Sequence, residues 1–291
     1  VTMPVFSKSP LVMHANINRL VKLIREHDIT IVHARSRAPA WSARAASRRT
    51  GVHFVTTFHG TYNETNAVKR LYNSIMAKGE RVIAISQFIA DRVISTYGAE
   101  LDCVRVIPRG IDLDTFHPSA VSPERMTQLS GKWQLPEAAQ VIMLPGRLTR
   151  WKGHEVLIDA MARMGRKDVH CILVGADQRL NRYRRDIDAH ILRNSVDRIV
   201  QIVSDCRDMP AAYMLADVVV SASTDPEAFG RVATEAQAMG RPVIATDHGG
   251  ARETVVPGET GWLVPPGDPE ALVDALGEAL SMTTEQRSRM A

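Results

Sequence analysis

Short apolar runs alternate with segments of helical spacing along the whole chain. The first helical segment is marked by four apolar residues, Ile17, Leu20, Val21 and Ile24. In the first half the pattern predicts strands at 30–33, 52–57, 81–85 and 104–107, and helices at 38–49, 68–76 and 87–97. In the second half it predicts strands at 141–144, 171–174, 199–203, 218–221 and 243–246, and helices at 153–164, 183–192, 210–215, 232–239 and 270–280. Short all-apolar strands between helices are typical of parallel sheets covered on both faces.

A turn-like segment and a polar stretch interrupt this rhythm near the middle of the chain. The turn spans 108–112 and the polar stretch spans 117–123, so we place a domain boundary there. The prediction is an α/β protein with two Rossmann-like, doubly wound parallel-sheet domains, residues 1–117 and 118–291. Two such domains joined by a linker are expected to face a cleft, with ligands bound beyond the carboxyl ends of the strands.

The composition narrows the class of protein. Of the 291 residues, 45% are hydrophobic and 23% are charged, which is typical of a globular protein. No apolar run is long enough to span a membrane. The cysteines Cys103, Cys171 and Cys206 lie far apart without metal-ligand spacing. We therefore expect free thiols in a reducing compartment, the cytoplasm.

Charge is spread unevenly between the halves. Residues 1–115 hold 16 Lys and Arg against 9 Asp and Glu, whereas residues 116–291 hold 20 against 23. A basic first half could meet phosphorylated substrates or an anionic membrane surface. An ordinary basic surface is the alternative.

A glycine-containing loop follows the strand predicted to end at Leu144. It runs from Gly146 to Gly153 and opens a predicted helix. Free N–H groups and the helix dipole at such a point suit an anion, and Arg147 and Lys152 add two cations that could clamp a diphosphate. Solvated surface cations are the alternative. The loop is not a Walker loop, because the Gly-x-x-x-x-Gly-Lys-Ser/Thr pattern is missing.

Two glutamates stand eight positions apart after the strand predicted at 218–221. Glu227 lies in the loop ahead of a helix that begins near Gly230, and Glu235 lies inside that helix among core positions. A carboxylate so placed needs partners, and ribose hydroxyls are suitable ones. A buried structural ion pair is the alternative for Glu235. Gly230 would let a ligand approach the helix N-terminus closely.

Two further strand ends carry candidate residues. Gly249 and Gly250 follow the strand predicted at 243–246, where paired glycines suit either close approach to a ligand or a plain tight turn. His59 follows the strand predicted at 52–57 and could contact a sugar or shuttle a proton. A structural role is the alternative for this histidine.

Taken together, these segments resemble a known family. The stretch from Glu227 to Glu235 resembles the Glu-x7-Glu signature of retaining glycosyltransferases of family 4, the group 1 glycosyltransferases, which have the GT-B fold. The stretch 146–153 is similar to that family's diphosphate clamp, and 109–112 with Phe116 and Pro118 to its interdomain segment. The glycine pair with Glu253, and Gly261 with Val264 and Pro265, continue the match. The resemblance covers nearly the whole chain, most closely residues 104–281.

The resemblance implies a role for each motif. The residues implied for the donor diphosphate are Gly146, Arg147, Lys152 and Gly230. Glu235 would bind the ribose. The residues implied for the transferred sugar are Glu227, Ala228, Phe229 and Gly230, and the catalytic ones are His59 and Glu227. The residues implied for the base edge are Arg207, Asp208 and Met209, although Ser204 stands where the family usually has a glycine.

The resemblance also implies a reaction. A sugar would pass from a nucleoside diphosphate sugar, such as a UDP-sugar or GDP-sugar, to a hydroxyl of a glycan or glycolipid acceptor, with its anomeric configuration retained. The family needs no metal or other cofactor, and no Asp-x-Asp motif occurs in this chain. We expect a role in bacterial lipopolysaccharide or surface polysaccharide synthesis, with the protein cytoplasmic or peripheral on the inner face of the membrane. No nucleic-acid partner is expected.

Two alternatives stay open beside this hypothesis. One is a nucleotide-sugar-binding protein without catalysis, and the other is a nucleotide-sugar epimerase or phosphorylase on the same fold. The family usually opens with a strand and a glycine-rich loop, and usually closes with helices that return to the first domain. Neither segment is found here, so the first domain is expected to be incomplete.

Overall fold

A computed structural model describes residues 2–7, 9–62, 64–137, 139–175 and 182–290 of the chain. The chain divides into two compact units, the first ending at Arg109 and the second beginning at Gly110. The division falls inside the turn-like segment 108–112, ahead of the boundary that we predicted after His117. Each unit is described by itself below.

The first unit alternates helices and strands. Its elements are α1 (Pro10–Glu26), β1 (Ile31–Ala34), α2 (Arg37–Thr50), β2 (His53–Phe58), α3 (Ala67–Ser74), β3 (Arg81–Ala84), α4 (Gln87–Tyr97) and β4 (Val104–Val106). Its described residues form one sheet of four parallel strands in the order β1-β2-β3-β4. Because all four strands are parallel, their carboxyl ends lie at one edge of the sheet.

Local signals in the sequence begin and end the helices of this unit. The side chains of Asn66 and Ser86 accept hydrogen bonds from the first turns of α3 and α4, the usual work of an N-cap. Gly51 and Gly98 end α2 and α4 in the left-handed conformation. Helix α2 is different at its start, because its N-cap Ser36 makes no side-chain capping bond.

The second unit has more elements. They are α5 (Pro123–Trp133), β5 (Gln140–Pro145), α6 (His154–Met164), β6 (Val169–Val174), α7 (Arg182–Arg193), β7 (Val200–Val203), α8 (Met209–Leu215), β8 (Val218–Ser221), α9 (Arg231–Ala238), β9 (Val243–Thr246), α10 (Ala251–Thr254), β10 (Gly261–Val264), α11 (Pro269–Ser281) and α12 (Thr284–Met290). Within the described residues they build one sheet of six parallel strands, β10-β9-β8-β5-β6-β7.

This strand order sets the position of a ligand site. The chain enters the sheet at β5, moves outward to β6 and β7, and returns to add β8, β9 and β10 on the other side of β5. That order is the one found in Rossmann folds, with its switch point between β5 and β8. The loops after these two strands leave in opposite directions, which opens a crevice beyond their carboxyl ends.

Alternate residues of these strands form two buried layers, one on each face of the sheet. Ile142 and Leu144 pack with α6, α7 and α11, whereas Val141 and Met143 pack with α5, α8 and α9. Both faces are therefore covered, which explains the all-apolar strands. Among the described residues, no helix is both long and apolar enough to cross a bilayer.

The predicted two-domain α/β class is confirmed. Each predicted strand and helix matches an observed element, and α4, β8 and β9 have the predicted bounds. Four elements were not predicted, namely α5, α10, β10 and α12. Helix α5 begins at the end of the polar stretch 117–123 that we took for part of a linker, and it packs against α8 through apolar residues such as Trp133.

Candidate functional site

A cavity opens at the switch point of the six-stranded sheet. Its volume is about 360 Å³, and the lining residues are Pro145, Gly146, Val174, Gly175, Ser204, Asp205, Cys206, Met209, Tyr213, Arg231, Val232 and Glu235. The lining comes from the loops after β5, β6 and β7 and from the first turns of α8 and α9. Gly146 and Glu235, two of the predicted ligand residues, therefore lie in one cavity.

The loop after β5 carries the predicted diphosphate clamp. Gly153 stands at its end with φ of +72°, and a Cβ there would lie 1.8 Å from the carbonyl oxygen of Ala222. Only glycine fits this position. Helix α6 starts directly afterwards with no side-chain cap, so its first N–H groups have no side-chain acceptor at this end of the sheet.

Lys152 of this loop is paired with Glu227. The Nζ atom of Lys152 lies 2.6 Å from Oε1 of Glu227, and the two side chains are only 12% and 14% exposed. The hydroxyl groups of Ser223 and Ser221 donate to the same oxygen at 2.6 and 3.3 Å. Burial raises the pKa of the Glu227 carboxyl, but the charge of Lys152 and these hydrogen bonds outweigh burial and hold the pKa below its ordinary value. The Glu227 carboxyl is therefore ionised at neutral pH.

The glycine pair after β9 braces the loop that carries Glu227. A Cβ on Gly250 would lie 2.6 Å from the Cα atom of Phe229, and one on Gly249 would lie 2.5 Å from the carbonyl oxygen of Glu227. The N–H of Gly250 also donates to that carbonyl at 2.8 Å. The close approach at these glycines is thus to the neighbouring loop. Ala228 and the buried Phe229 are held in that loop.

Glu235 lies on α9 with its carboxylate turned toward the cavity. The hydroxyl of Tyr213 donates to Oε2 at 2.9 Å, and Arg231 donates to Oε1 at 2.6 Å. The Glu235 side chain is 12% exposed, whereas that of Arg231 is 64% exposed. The ion pair named as the alternative at this position therefore exists, but its arginine lies at the surface and its carboxylate still lines the cavity.

The three residues predicted at the base edge separate in space. Met209 lines the cavity at the start of α8. Asp208 caps α8 by accepting from the N–H of Ala211, and its two oxygens are bound by Arg125 at 2.6 and 2.9 Å. Arg207 is 92% exposed and pairs with Asp205. Neither Arg207 nor Asp208 lines the cavity. The carboxylate of Asp208 binds Arg125 and so holds α8 against α5, whereas the side chain of Arg207 extends into solvent.

Three of the four residues predicted for the diphosphate lie outside the cavity lining, namely Arg147, Lys152 and Gly230. Arg147 is exposed, and within the described part of the chain its guanidinium forms no hydrogen bond or ion pair with another side chain. Gly230 is the N-cap of α9, a helix that also begins without a side-chain cap. Two uncapped helix starts, α6 and α9, therefore flank the switch point.

His59 belongs to the first unit and lies in a different setting. Arg35 Nε approaches its Nε2 atom at 3.0 Å, and a terminal nitrogen of Arg109 approaches its Nδ1 atom at 2.6 Å. Burial, then the charges of Arg109, Arg35 and His33, lower the pKa of His59 to about 4. The imidazole is therefore neutral at physiological pH.

Several residues of the site were missed from sequence. Tyr213 and Arg231 hold Glu235, Ser221 and Ser223 hold Glu227, and Cys206 lines the cavity. Ser221 and Ser223 carried a usable signal, because Ser221 ends the strand predicted at 218–221 and Ser223 lies just after it, ahead of the loop that carries Glu227. Within the described ranges, no three potential metal-ligating side chains cluster together.

The groups at this site suit a ligand that combines an anion, a vicinal diol and an apolar ring. An anion would meet the uncapped N-termini of α6 and α9, and a vicinal diol would meet the carboxylate of Glu235. A ligand with a diphosphate joined to a ribose carries both groups. The apolar side of the cavity, with Val174 and Met209, suits the face of a heterocyclic base.

Comparison with protein families gives matches over both units. Residues 1–115 match the model of the family described as Glycosyltransferase Family 4. Residues 126–291 match that of Glycosyl transferases group 1.

A curated relative and two crystal structures are similar to the chain. A D-inositol 3-phosphate glycosyltransferase of Xylanimonas cellulosilytica is 36% identical over 220 residues, which are 75% of this chain and 52% of the relative. A glycosyltransferase from Rickettsia africae is 37% identical with a TM-score of 0.91, over 100% of this chain and 77% of the other. Anabaena HepE in complex with UDP-glucose is 26% identical with a TM-score of 0.82, over 94% and 74%. The chain thus spans about half the length of the curated relative.

Proposed function

Since the chain belongs to the group 1 glycosyltransferases of family 4, with the GT-B fold, we propose that it transfers a sugar from a nucleoside diphosphate sugar to an acceptor hydroxyl with retention of configuration. The observation that carries the proposal is the cavity at the switch point. Glu235 and the first residues of α9 line this cavity, and the uncapped start of α6 ends the same loop after β5 that contributes the lining residue Gly146.

In this proposal the nucleoside diphosphate part of the donor binds to the second unit. The ribose hydroxyls donate to Glu235, which Tyr213 and Arg231 hold in place. The diphosphate lies near Gly146 and Gly230, where the first N–H groups of α6 and α9 point toward it. The base packs beside Met209.

Lys152 and Arg147 would stabilise the leaving diphosphate. Negative charge grows on the phosphate oxygens as the bond to the sugar breaks, and fixed cations and helix N-termini stabilise that charge most in the transition state. Lys152 is already ordered by Glu227 and by the packing of its methylene groups against Gly146. Little reorganisation is then needed at the moment of reaction. We propose that this arrangement needs no metal or other cofactor.

Glu227 would contact the transferred sugar. Its Oε1 atom accepts from Lys152 and both serines, which leaves Oε2 for a sugar hydroxyl. Ala228, Phe229 and Gly230 would line the same subsite through their backbone. His59, neutral at physiological pH, would accept or donate a hydrogen bond near the reacting sugar.

For the donor and the acceptor we propose chemical classes and not single molecules. Anabaena HepE forms a complex with UDP-glucose, which supports a UDP-sugar, and a GDP-sugar is the second candidate. The Xylanimonas relative has a phosphorylated polyol in its name. For this chain we propose a glycan or glycolipid acceptor of bacterial lipopolysaccharide or surface polysaccharide synthesis. This choice of acceptor rests on the family resemblance.

Two glutamate variants test the donor site. Glu235→Gln should weaken binding of UDP and uridine alike, by roughly tenfold or more, because a charge-assisted bond to the ribose is lost. Glu227→Gln should leave the affinity for UDP nearly intact and lower turnover, since its sugar contact acts on the rate. Isothermal titration with UDP and GDP, and turnover of the matching donor sugar, measure both effects.

The matched control is Glu259→Gln, an exposed change of the same charge on α10's following loop. It should bind and turn over like the unmodified chain. Loss of UDP binding in Glu227→Gln with full binding in Glu235→Gln would reverse the two roles. Absence of binding to any nucleoside diphosphate would contradict the proposed function.

A further inference from the structure

Two arginines and a histidine cluster at the carboxyl edge of the four-stranded sheet in the first unit. Arg35 directly follows β1, His59 directly follows β2, and Arg109 follows β4. Because the strands are parallel, these three side chains come to one edge. The donor site proposed above uses only His59 of the three, so the arginines need an account of their own.

The contacts in this cluster cannot all be favourable. Each guanidinium presents an N–H to one ring nitrogen of His59, at 3.0 Å for Arg35 and 2.6 Å for Arg109. A neutral imidazole has only one acceptor nitrogen, and its other nitrogen carries a hydrogen. One of the two contacts therefore sets a donor against a donor, whichever tautomer is present.

The electrostatics of the cluster are unfavourable as well. Every charged group that acts on the pKa of His59 lowers it, namely Arg109, Arg35 and His33, after burial as the largest cause. Within the described residues, Arg35 forms no ion pair with an acidic side chain. A bound anion would offset the repulsion between positive charges held this close together.

The start of α2 adds to the same imbalance. Arg35 comes just before the N-cap Ser36, which makes no capping hydrogen bond, and the first turn of α2 has no acidic residue. A helix N-terminus favours negative charge, yet this one carries Arg35 and Arg37. The guanidinium of Arg37 donates to Asn73 and lies over the ring of Tyr62, whereas Arg35 lies beside the start of the helix.

We propose that Arg35, His59 and Arg109 bind an oxyanion, a phosphate or carboxylate group, that belongs to the acceptor. The two guanidinium groups lie at the two ring nitrogens, on either side of Cε1, and an oxyanion beside Cε1 would accept from both arginines. The donor diphosphate has its own cations and helix starts in the second unit. The assignment to an acceptor rests on the proposed function, whereas the anion site rests on the cluster itself.

Anion binding should be coupled to a proton. A bound oxyanion favours the imidazolium form, so the pKa of His59 rises in the complex. Affinity should then be greatest at low pH and fall as the pH passes upward through the pKa of the bound state. His33, Arg35 and Arg109 oppose protonation, and the oxyanion offsets them.

The test uses inorganic phosphate as the probe and the ring resonances of His59 as the readout, at constant ionic strength and about pH 6, where imidazole titration is visible. Phosphate should shift these resonances saturably. Arg35→Gln should weaken phosphate binding by roughly tenfold or more, through loss of a charge-assisted hydrogen bond. Arg48→Gln, an exposed change of equal charge on the same helix, should alter it by less than about twofold.

A second arm separates the acceptor from the donor. UDP at saturation should leave phosphate bound at His59, and Arg35→Gln should leave the affinity for UDP unchanged. Displacement of phosphate by UDP would assign the anion to the donor and overturn the proposal. Equal weakening by Arg35→Gln and Arg48→Gln, or no shift of His59 by phosphate, would also overturn it. If UDP binds but phosphate does not bind at His59, the anion site is wrong and the proposed function stands. If phosphate binds at His59 but no nucleotide binds, the proposed function is wrong and the anion site stands.

Discussion

Cationic side chains stand at the carboxyl ends of the strands in both units, but the two units compensate them differently. In the second unit Lys152 is buried against the carboxylate of Glu227, and two serines complete the pair. In the first unit Arg35 and Arg109 converge on a neutral histidine. The first arrangement is stable without a ligand, whereas the second gains stability from one. Removal of a cation should therefore have opposite consequences in the two units.

The largest expected effect is on Lys152. Lys152→Ala would leave the buried carboxylate of Glu227 without its cation, and we expect the free energy of unfolding to fall by about 3 kcal/mol. Affinity for UDP should also fall by roughly tenfold or more, while affinity for uridine changes little. Denaturant titration measures the first effect and isothermal titration the second. Arg35→Gln should leave the free energy of unfolding unchanged or raise it slightly.

The double variant Lys152→Ala with Glu227→Gln is the control for this prediction. It removes both charges and keeps a side chain that can accept from Ser221 and Ser223. More than half of the lost stability should return. Equal destabilisation in the single and double variants would show that packing, and not the unpaired charge, causes the loss.

An effect of comparable size on stability is expected from acid, and it involves two histidines whose pKa values are both lowered to about 4. Burial, then Lys152, lowers the pKa of His154 to about 4, with a backbone contact to Thr149 acting in the opposite direction. Between about pH 6.5 and 4 the unfolded chain binds more protons at this site than the folded chain, so stability falls as the pH drops. His154, which is fully buried, should contribute about 3 kcal/mol over this range, and the partly exposed His59 less, because solvent screens it.

Salt distinguishes the two histidines. The pKa of His59 should rise with added salt, since part of its depression comes from arginines at the surface. The pKa of His154 should change less, because this histidine and its charged neighbour Lys152 are both buried, where salt screens little. Imidazole resonances followed by NMR against pH, at low and high salt, measure both. A salt-independent pKa for His59 would contradict the role given to Arg35 and Arg109.

The smallest expected effect concerns the basic surface of the first unit. Helix α3 exposes Val68 and Leu71 beside Lys69 and Arg70. Anionic vesicles should bind the protein at low salt, and Lys69→Gln should weaken binding by about fivefold, close to 1 kcal/mol for one basic residue near the surface. Arg70→Gln should matter less, because two of its nitrogens already donate to the carbonyl of Thr96. Sedimentation with and without anionic lipid measures this, and equal binding to neutral vesicles would favour an ordinary basic surface.

Much of the fold could be predicted from the sequence because the apolar pattern is strong where burial is complete. Strands β8 and β9 are buried on both faces, and their bounds were predicted correctly. Strand β10 was missed because it lies at the sheet edge, where Trp262 and Leu263 are only half-buried. Helix α5 was missed because most of its residues are polar and its apolar side is narrow.

The candidate site was less predictable, since contacts between distant residues decide it. Lys152 and Glu227 were both singled out, but nothing in the sequence joins two residues 75 positions apart. The use of Asp208 by Arg125, 83 positions away, was hidden for the same reason. Arg35 and Arg109 did carry a signal, because each stands just after a predicted strand at the edge where His59 was expected. The ligand roles of the predicted site residues stay predictions.

The packing of Gly249 and Gly250 against the Glu227 loop bears on how this protein could be re-engineered. The backbone of the Glu227 loop lies against Gly249 and Gly250 with no room for an added methyl group at either glycine. Variants of this loop or of the two glycines should therefore be mostly inactive. The cavity lining that follows β7, with Ser204, Cys206 and Met209, should tolerate exchange more readily. Selection for a new nucleotide base would therefore begin there, on the wall formed after β7.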